Sequence, residues 1–151
     1  MVGKNAKENY SVHKFGWFPD RTSDEPYEYP NIWTREKTSG PDRLIIAPRS
    51  NYVELIHKLT NQLTEPFLLL YVLVVPRGKS EPGRYQSEPV NAEELNRFLH
   101  RYKDFLEGDA RHNLWIRSSD DGMLVFDRHN IIYAYGPARK IRLDTKLVRT
   151  D

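Results

Sequence analysis

Apolar and polar residues alternate along segment 114–135, in the last third of the chain, and two turn-forming segments interrupt the alternation. A two-residue period is typical of β-strands that bury one face. Segment 120–122 reads Asp-Asp-Gly and segment 127–130 reads Asp-Arg-His-Asn, and both compositions favour tight reversals. The pattern therefore predicts an antiparallel meander of three strands, at residues 113–119, 123–127 and 131–136.

Two other segments repeat their apolar residues every three to four positions, which is the period of an α-helix. The first follows Asn51, with Glu54 three residues later, and the second follows Asn91, with Glu94 three residues later. This spacing allows the two side chains of each pair to cap the first turn of a helix. We therefore expect helices that begin at Asn51 and Asn91, and Gly108 predicts the end of the second helix.

The longest apolar run is segment 67–75, which is nine residues long and has a proline on each side. A helix that crosses a membrane needs about 20 such residues, so we expect a strand, buried on both faces and central in its sheet. Shorter strands are expected at 44–47, at 84–88 and near Ile141 and Leu143. The order β-α-β-β-α followed by a β-meander predicts an α+β fold, with two helices packed on an antiparallel or mixed β-sheet.

The first forty residues have no regular period but contain three prolines and seven aromatic residues. Disordered segments are usually poor in aromatic residues. We therefore interpret residues 1–40 as an extended aromatic-rich N-terminal arm, and residues 41–151 as a single α+β domain. The rings of the arm are expected to lie on this domain or on a partner, and the first alternative is preferred.

Composition narrows the possible classes of function. The chain has 151 residues, which suits one domain, and it has no cysteine, which excludes disulfides, thiolate metal sites and a cysteine nucleophile. No apolar run near the N-terminus resembles a signal peptide, so a cytoplasmic location is expected. Because 23 basic residues face 21 acidic ones without long runs of one sign, no nucleic-acid partner is expected. No membrane partner is expected either, because the longest apolar run has only nine residues. The basic residues between Arg139 and Arg149 are interpreted as a solvated strand edge.

Segment 127–130 is the strongest candidate for acid-base chemistry. Histidine is a common general acid or base, Asp127 could orient His129, and Tyr133 and Tyr135 follow on the next predicted strand. However, no nucleophile motif and no metal-ligand spacing accompany it, so an ordinary surface turn is the preferred interpretation. We expect no catalytic residues, no metal and no cofactor.

The surplus of tryptophan and tyrosine, with interspersed arginine, is typical of protein interfaces. The alternative is that these rings complete the core. The leading hypothesis is a small protein-binding module, of the kind used by bacterial immunity or inhibitor proteins; the alternative is a small-ligand-binding protein or an enzyme with a pocket near His129. The candidate binding residues are Trp17, Trp33, Trp115, Arg117, Asp127, His129, Tyr133 and Tyr135.

Overall fold

The computed structural model describes residues 29–74, 82–120, 122–136, 142–143 and 146–150. In these ranges three helices accompany a mixed sheet of eight strands, which confirms a mixed α+β fold. The helices are α1 (Tyr52–Thr60), α2 (Ala92–Arg101) and α3 (Lys103–Gly108). The strands are β1 (Ile32–Glu36), β2 (Arg43–Ala47), β3 (Phe67–Leu73), β4 (Gly83–Gln86), β5 (His112–Ser118), β6 (Met123–Phe126), β7 (Ile132–Tyr135) and β8 (Val148–Arg149).

The strands lie in the order β4-β3-β5-β6-β7-β2-β1-β8. Neighbours pair antiparallel except β1 and β8, which are parallel. The predicted meander is confirmed, because β5 pairs with β6 and β6 with β7 in consecutive antiparallel register. The strand expected at 84–88 is present as β4, which pairs antiparallel with β3.

One face of the sheet carries the core. Cross-strand partners on this face are Leu44, Ala134, Leu124, Ile116 and Leu69, in that order. All five are buried, and the helices complete the same cluster with Val53, Ile56, Leu59, Leu95, Leu99 and Leu106. Removal of these apolar surfaces from water is the main force that holds the helices on this face.

The two predicted helix starts differ in outcome. At α2 the Asn91 side chain accepts a hydrogen bond from the backbone N–H of Glu94 at 2.8 Å, so this N-cap is confirmed. At α1 the predicted cap is wrong, because Asn51 has a left-handed backbone, with φ of 56°, and its side chain makes no capping bond. A capping side chain requires an extended backbone at that position.

The second helix also ends earlier than predicted. Tyr102, with φ of −106° and ψ of 18°, interrupts the helix between Arg101 and Lys103, and a separate turn of helix, α3, continues to Gly108. This break redirects the chain so that Leu106 enters the core while Phe105 remains exposed.

Three further expectations about strands are corrected. The apolar run forms β3, but β3 lies second from an edge of the sheet rather than at its centre, and its alternate residues Leu68, Leu70 and Val72 are only half-buried. Part of the segment interpreted as an arm forms strand β1. The last described strand is β8, and Leu143 lies outside it. The expectations for residues 1–28 and for Ile141 lie outside the described residues.

Candidate functional site

The face of the sheet opposite the core is called the outer face. Two rows of cross-strand partners cover it, since side chains alternate along every strand. The first row is Gln86, Leu70, Trp115, Val125, Tyr133, Ile45 and Thr34. The second row is Leu68, Arg117, Met123, Tyr135, Arg43 and Glu36. Four of the residues proposed from sequence therefore share one surface: Trp115, Arg117, Tyr133 and Tyr135.

Arg43 is the most connected residue of the outer face. Its guanidinium donates from Nη1 to the Tyr135 hydroxyl at 2.8 Å and from Nε to the Glu36 carboxylate at 2.7 Å. The same group lies over the Tyr133 ring, 4.9 Å from the ring centroid, in cation–π geometry. The hydrogen bond that Arg43 donates to Tyr135, and then the one that it donates to Glu36, raise the pKa of Arg43, which keeps this group charged.

Tyr133 lies in a partly desolvated position. Burial, followed by the negative charge of Asp127, raises the pKa of its phenol, and the nearby Arg43 opposes this effect only in part. The phenol is therefore a neutral hydrogen-bond donor at physiological pH rather than a base. Acid-base chemistry through a tyrosinate receives no support from this environment.

Asp127 organises the turn between β6 and β7. Its Oδ1 accepts hydrogen bonds from the backbone N–H groups of His129 at 2.8 Å and Ile131 at 2.9 Å, while Asn130 adopts the left-handed conformation with φ of 60°. The His129 side chain is 61% exposed, and its Nδ1 lies 3.8 Å from the Asp127 carboxylate. The predicted turn is present, with His129 exposed and Asn130 buried. The Tyr29 hydroxyl donates to the backbone carbonyl of His129 at 2.9 Å.

The two remaining tryptophans proposed as binding residues do not join this surface. Trp33 pairs with Ile46 and therefore lies on the core face, where it packs beside the cluster of buried residues. The Arg149 guanidinium lies 5.3 Å from the centroid of its ring. Trp17 lies outside the described residues.

The core side of the sheet also has an open cavity of about 510 Å³, which is called the groove. It lies between β3, β4 and α2. The groove is lined by Leu69, Tyr71, Tyr85, Gln86, Ser87, Val90, Glu94, Arg97, Phe98, Arg101, Tyr102 and Leu114. A second cavity, of about 610 Å³, lies between residues 30–31, segment 48–51, helix α1 and residues 146–147, and has a more polar lining. His129 lines neither cavity.

Among the described residues, no three His, Asp or Glu side chains are arranged to hold a metal ion. No helix in these ranges is both long and apolar enough to cross a membrane. Comparison with known proteins found no matching protein-family model, no matching curated protein and no matching solved structure.

Sequence reasoning did not find Arg43 or Glu36. Both are ordinary charged residues in the sequence, and Arg43 lies 92 positions from Tyr135. Only the register of β2 against β7 and β1 brings the three together. A usable signal was the position of Arg43 next to the apolar strand residues Leu44 to Ala47, which puts it on the opposite face from Leu44.

Proposed function

We propose that this chain is a protein-binding module, in the manner of immunity or inhibitor proteins, and that the outer face of its sheet is the binding surface. The observation that carries the proposal is the clustering of Trp115, Tyr133, Tyr135 and two arginines on one face, next to apolar residues of β3 and β6. Tryptophan, tyrosine and arginine are the residue types that dominate binding energy at protein interfaces.

The geometry of the cluster supports binding of a partner by a surface that is already ordered in the free chain. The hydrogen bonds of Arg43 to Tyr135 and Glu36 fix three side chains before any partner arrives, so binding would cost less side-chain entropy. The strands of the meander hold the rings on regular backbone, which is more rigid than loops. The partner is expected to offer an apolar patch with a carboxylate, because the exposed Arg117 forms no ion pair with a described residue.

Affinity capture from native lysate with matched variants tests the proposal. The surface variant is Trp115→Ala combined with Tyr133→Ala, and the control is Tyr85→Ala, which removes an exposed ring from the core side of the sheet. A partner that is retained by wild type and control but lost by the surface variant supports the proposal. Equal recovery on all three proteins, or recovery of this chain alone, contradicts it.

The alternative of an enzyme or a small-ligand site near His129 receives no comparable support. The Oδ1 of Asp127 accepts two backbone hydrogen bonds of the turn, its Oδ2 lies 3.8 Å from Nδ1 of His129, which is beyond hydrogen-bond distance, and the imidazole is largely exposed. A general base is expected to face an enclosed site where its pKa and its substrate are both controlled. We therefore place recognition by the outer face ahead of chemistry at this turn.

A further inference from the structure

The groove on the core side of the sheet combines an apolar floor with aromatic walls. Leu69, Leu114, Val90 and Phe98 supply apolar side chains, and all belong to the core cluster or pack against it. Its volume of about 510 Å³ lies within the range of cavities that enclose small molecules, which is roughly 300–1,000 Å³.

Two of the aromatic rings that line the groove are unusually exposed. Tyr85 is 58% exposed and Tyr102 is 42% exposed, on opposite sides of the groove, one on β4 and the other at the end of α2. Tyr85 also lies beside Tyr71, with ring centroids 6.2 Å apart. An aromatic ligand between these walls would remove apolar ring surface from water and would find ring faces and edges to pack against.

The lining of the groove contains one cation without an ion-pair partner among the described residues. Its charged residues are Glu94, Arg97 and Arg101, all on α2, and Glu94 lies seven residues before Arg101, about 10 Å away along the helix axis. Arg97 already shares its charge with Glu93 at 3.0 Å, outside the lining. The Arg101 guanidinium lies 5.6 Å from the Tyr102 ring centroid and forms no ion pair with a described residue, so its hydrogen-bond donors are free to bind a ligand.

From these contacts we propose that the groove binds a small carboxylic acid with an aromatic or other apolar body, whose carboxylate is held by Arg101 beside Tyr102. The body of the ligand lies on Leu69, Val90 and Leu114. This site shares no residue with the outer face apart from Gln86 at its border. A negative result for one of the two proposals therefore leaves the other unaffected.

Methyl NMR titration of the full-length protein with 4-phenylbutyrate tests this site. Binding in the groove shifts the methyl signals of Leu69, Val90 and Leu114 in a saturable manner. The methyl groups of Leu68, Leu70 and Val125 lie on the outer face of the same sheet and serve as internal controls that should not shift. The uncharged analogue 4-phenyl-1-butanol should bind about tenfold more weakly, since it lacks the charge-assisted contact.

Two arginine variants distinguish a specific contact between Arg101 and the carboxylate from nonspecific binding. Arg101→Gln is expected to weaken 4-phenylbutyrate binding about tenfold and to leave 4-phenyl-1-butanol binding unchanged. Arg84→Gln is the matched control, because Arg84 is an exposed arginine on β4 that does not line the groove. The proposal is overturned if no saturable shifts occur at the groove methyls, if both ligands bind wild type equally, or if the two variants behave alike.

Discussion

Replacing Arg43 by methionine removes the polar contacts of the outer face while keeping an apolar chain of similar length. The free energy of unfolding is expected to fall by about 2.5 kcal/mol if the three contacts of Arg43 contribute additively. The hydrogen bond to Tyr135 involves a charged donor and contributes about 1.5 kcal/mol. The ion pair with the 45% exposed Glu36 adds about 0.5 kcal/mol, and the contact with the Tyr133 ring about 0.5 kcal/mol.

These contributions are not independent, so a double-mutant cycle measures the central one directly. Tyr135→Phe removes only the hydroxyl group, and its coupling with Arg43→Met is expected to be about 1 kcal/mol. Urea denaturation followed by circular dichroism provides each free energy of unfolding. Arg84→Met serves as control, because the exposed Arg84 makes no hydrogen bond or ion pair with a described residue; its effect should stay within about 0.5 kcal/mol.

The reasoning would be refuted if Arg43→Met cost no more than Arg84→Met, or if the cycle gave no coupling. Either result would mean that the guanidinium of Arg43 is held no more firmly than an ordinary surface arginine. The preorganisation argument for the outer face would then fail with it.

Three other predictions concern the turn after β6, the contact between helices and one glycine. Asp127→Ala should lower the free energy of unfolding by about 1–2 kcal/mol, because two backbone N–H groups lose their acceptor, whereas Asp127→Asn keeps the accepting oxygen and should cost less in the same urea assay. Burial, and then the charge of His100, lowers the pKa of His57 from its usual value of 6.5. The unfolded chain therefore binds the proton at a higher pH than the folded chain, and the free energy of unfolding falls as pH falls below about 6.5. Urea denaturation at several pH values should show that the His57→Gln variant lacks this loss. Gly136→Ala should destabilise the fold by about 1–3 kcal/mol, because φ is 143° there, and should therefore lower the midpoint of thermal unfolding. Gly108→Ala should leave the midpoint unchanged, because its added Cβ meets nothing within 4 Å.

Local patterns in the sequence predicted those elements whose partners are close in sequence. The cap of α2 is confirmed because Asn91 and Glu94 are three residues apart and depend on nothing else. The meander is confirmed because each strand pairs with the next one along the chain, and Asp127 closes the turn between β6 and β7 through its own hydrogen bonds. In both cases the information that determines the structure is local.

Predictions failed where distant pairing decides the structure. Strand β1 has no clear alternation, and it exists because its residues pair with β2. The apolar residues of β3 predicted burial on both faces, but burial depends on where the strand lies in the sheet, and only Phe67 and Leu69 are buried. Trp33 illustrates the same limit, since a pairing register rather than its residue type puts it on the core face.

The alternation of β3 also predicts that the two proposed surfaces act independently. Leu69 and Tyr71 line the groove, whereas Leu68 and Leu70 lie on the outer face. Arg43 on β2 and Arg101 at the end of α2 share no partner, so the effects of Arg43→Met and Arg101→Gln on the free energy of unfolding should add to within about 0.5 kcal/mol. Arg43→Met should likewise leave the affinity for 4-phenylbutyrate unchanged in the NMR titration. A coupling above about 1 kcal/mol would show instead that the sheet transmits changes from one face to the other, and a single site that involves both faces would then explain the molecule better.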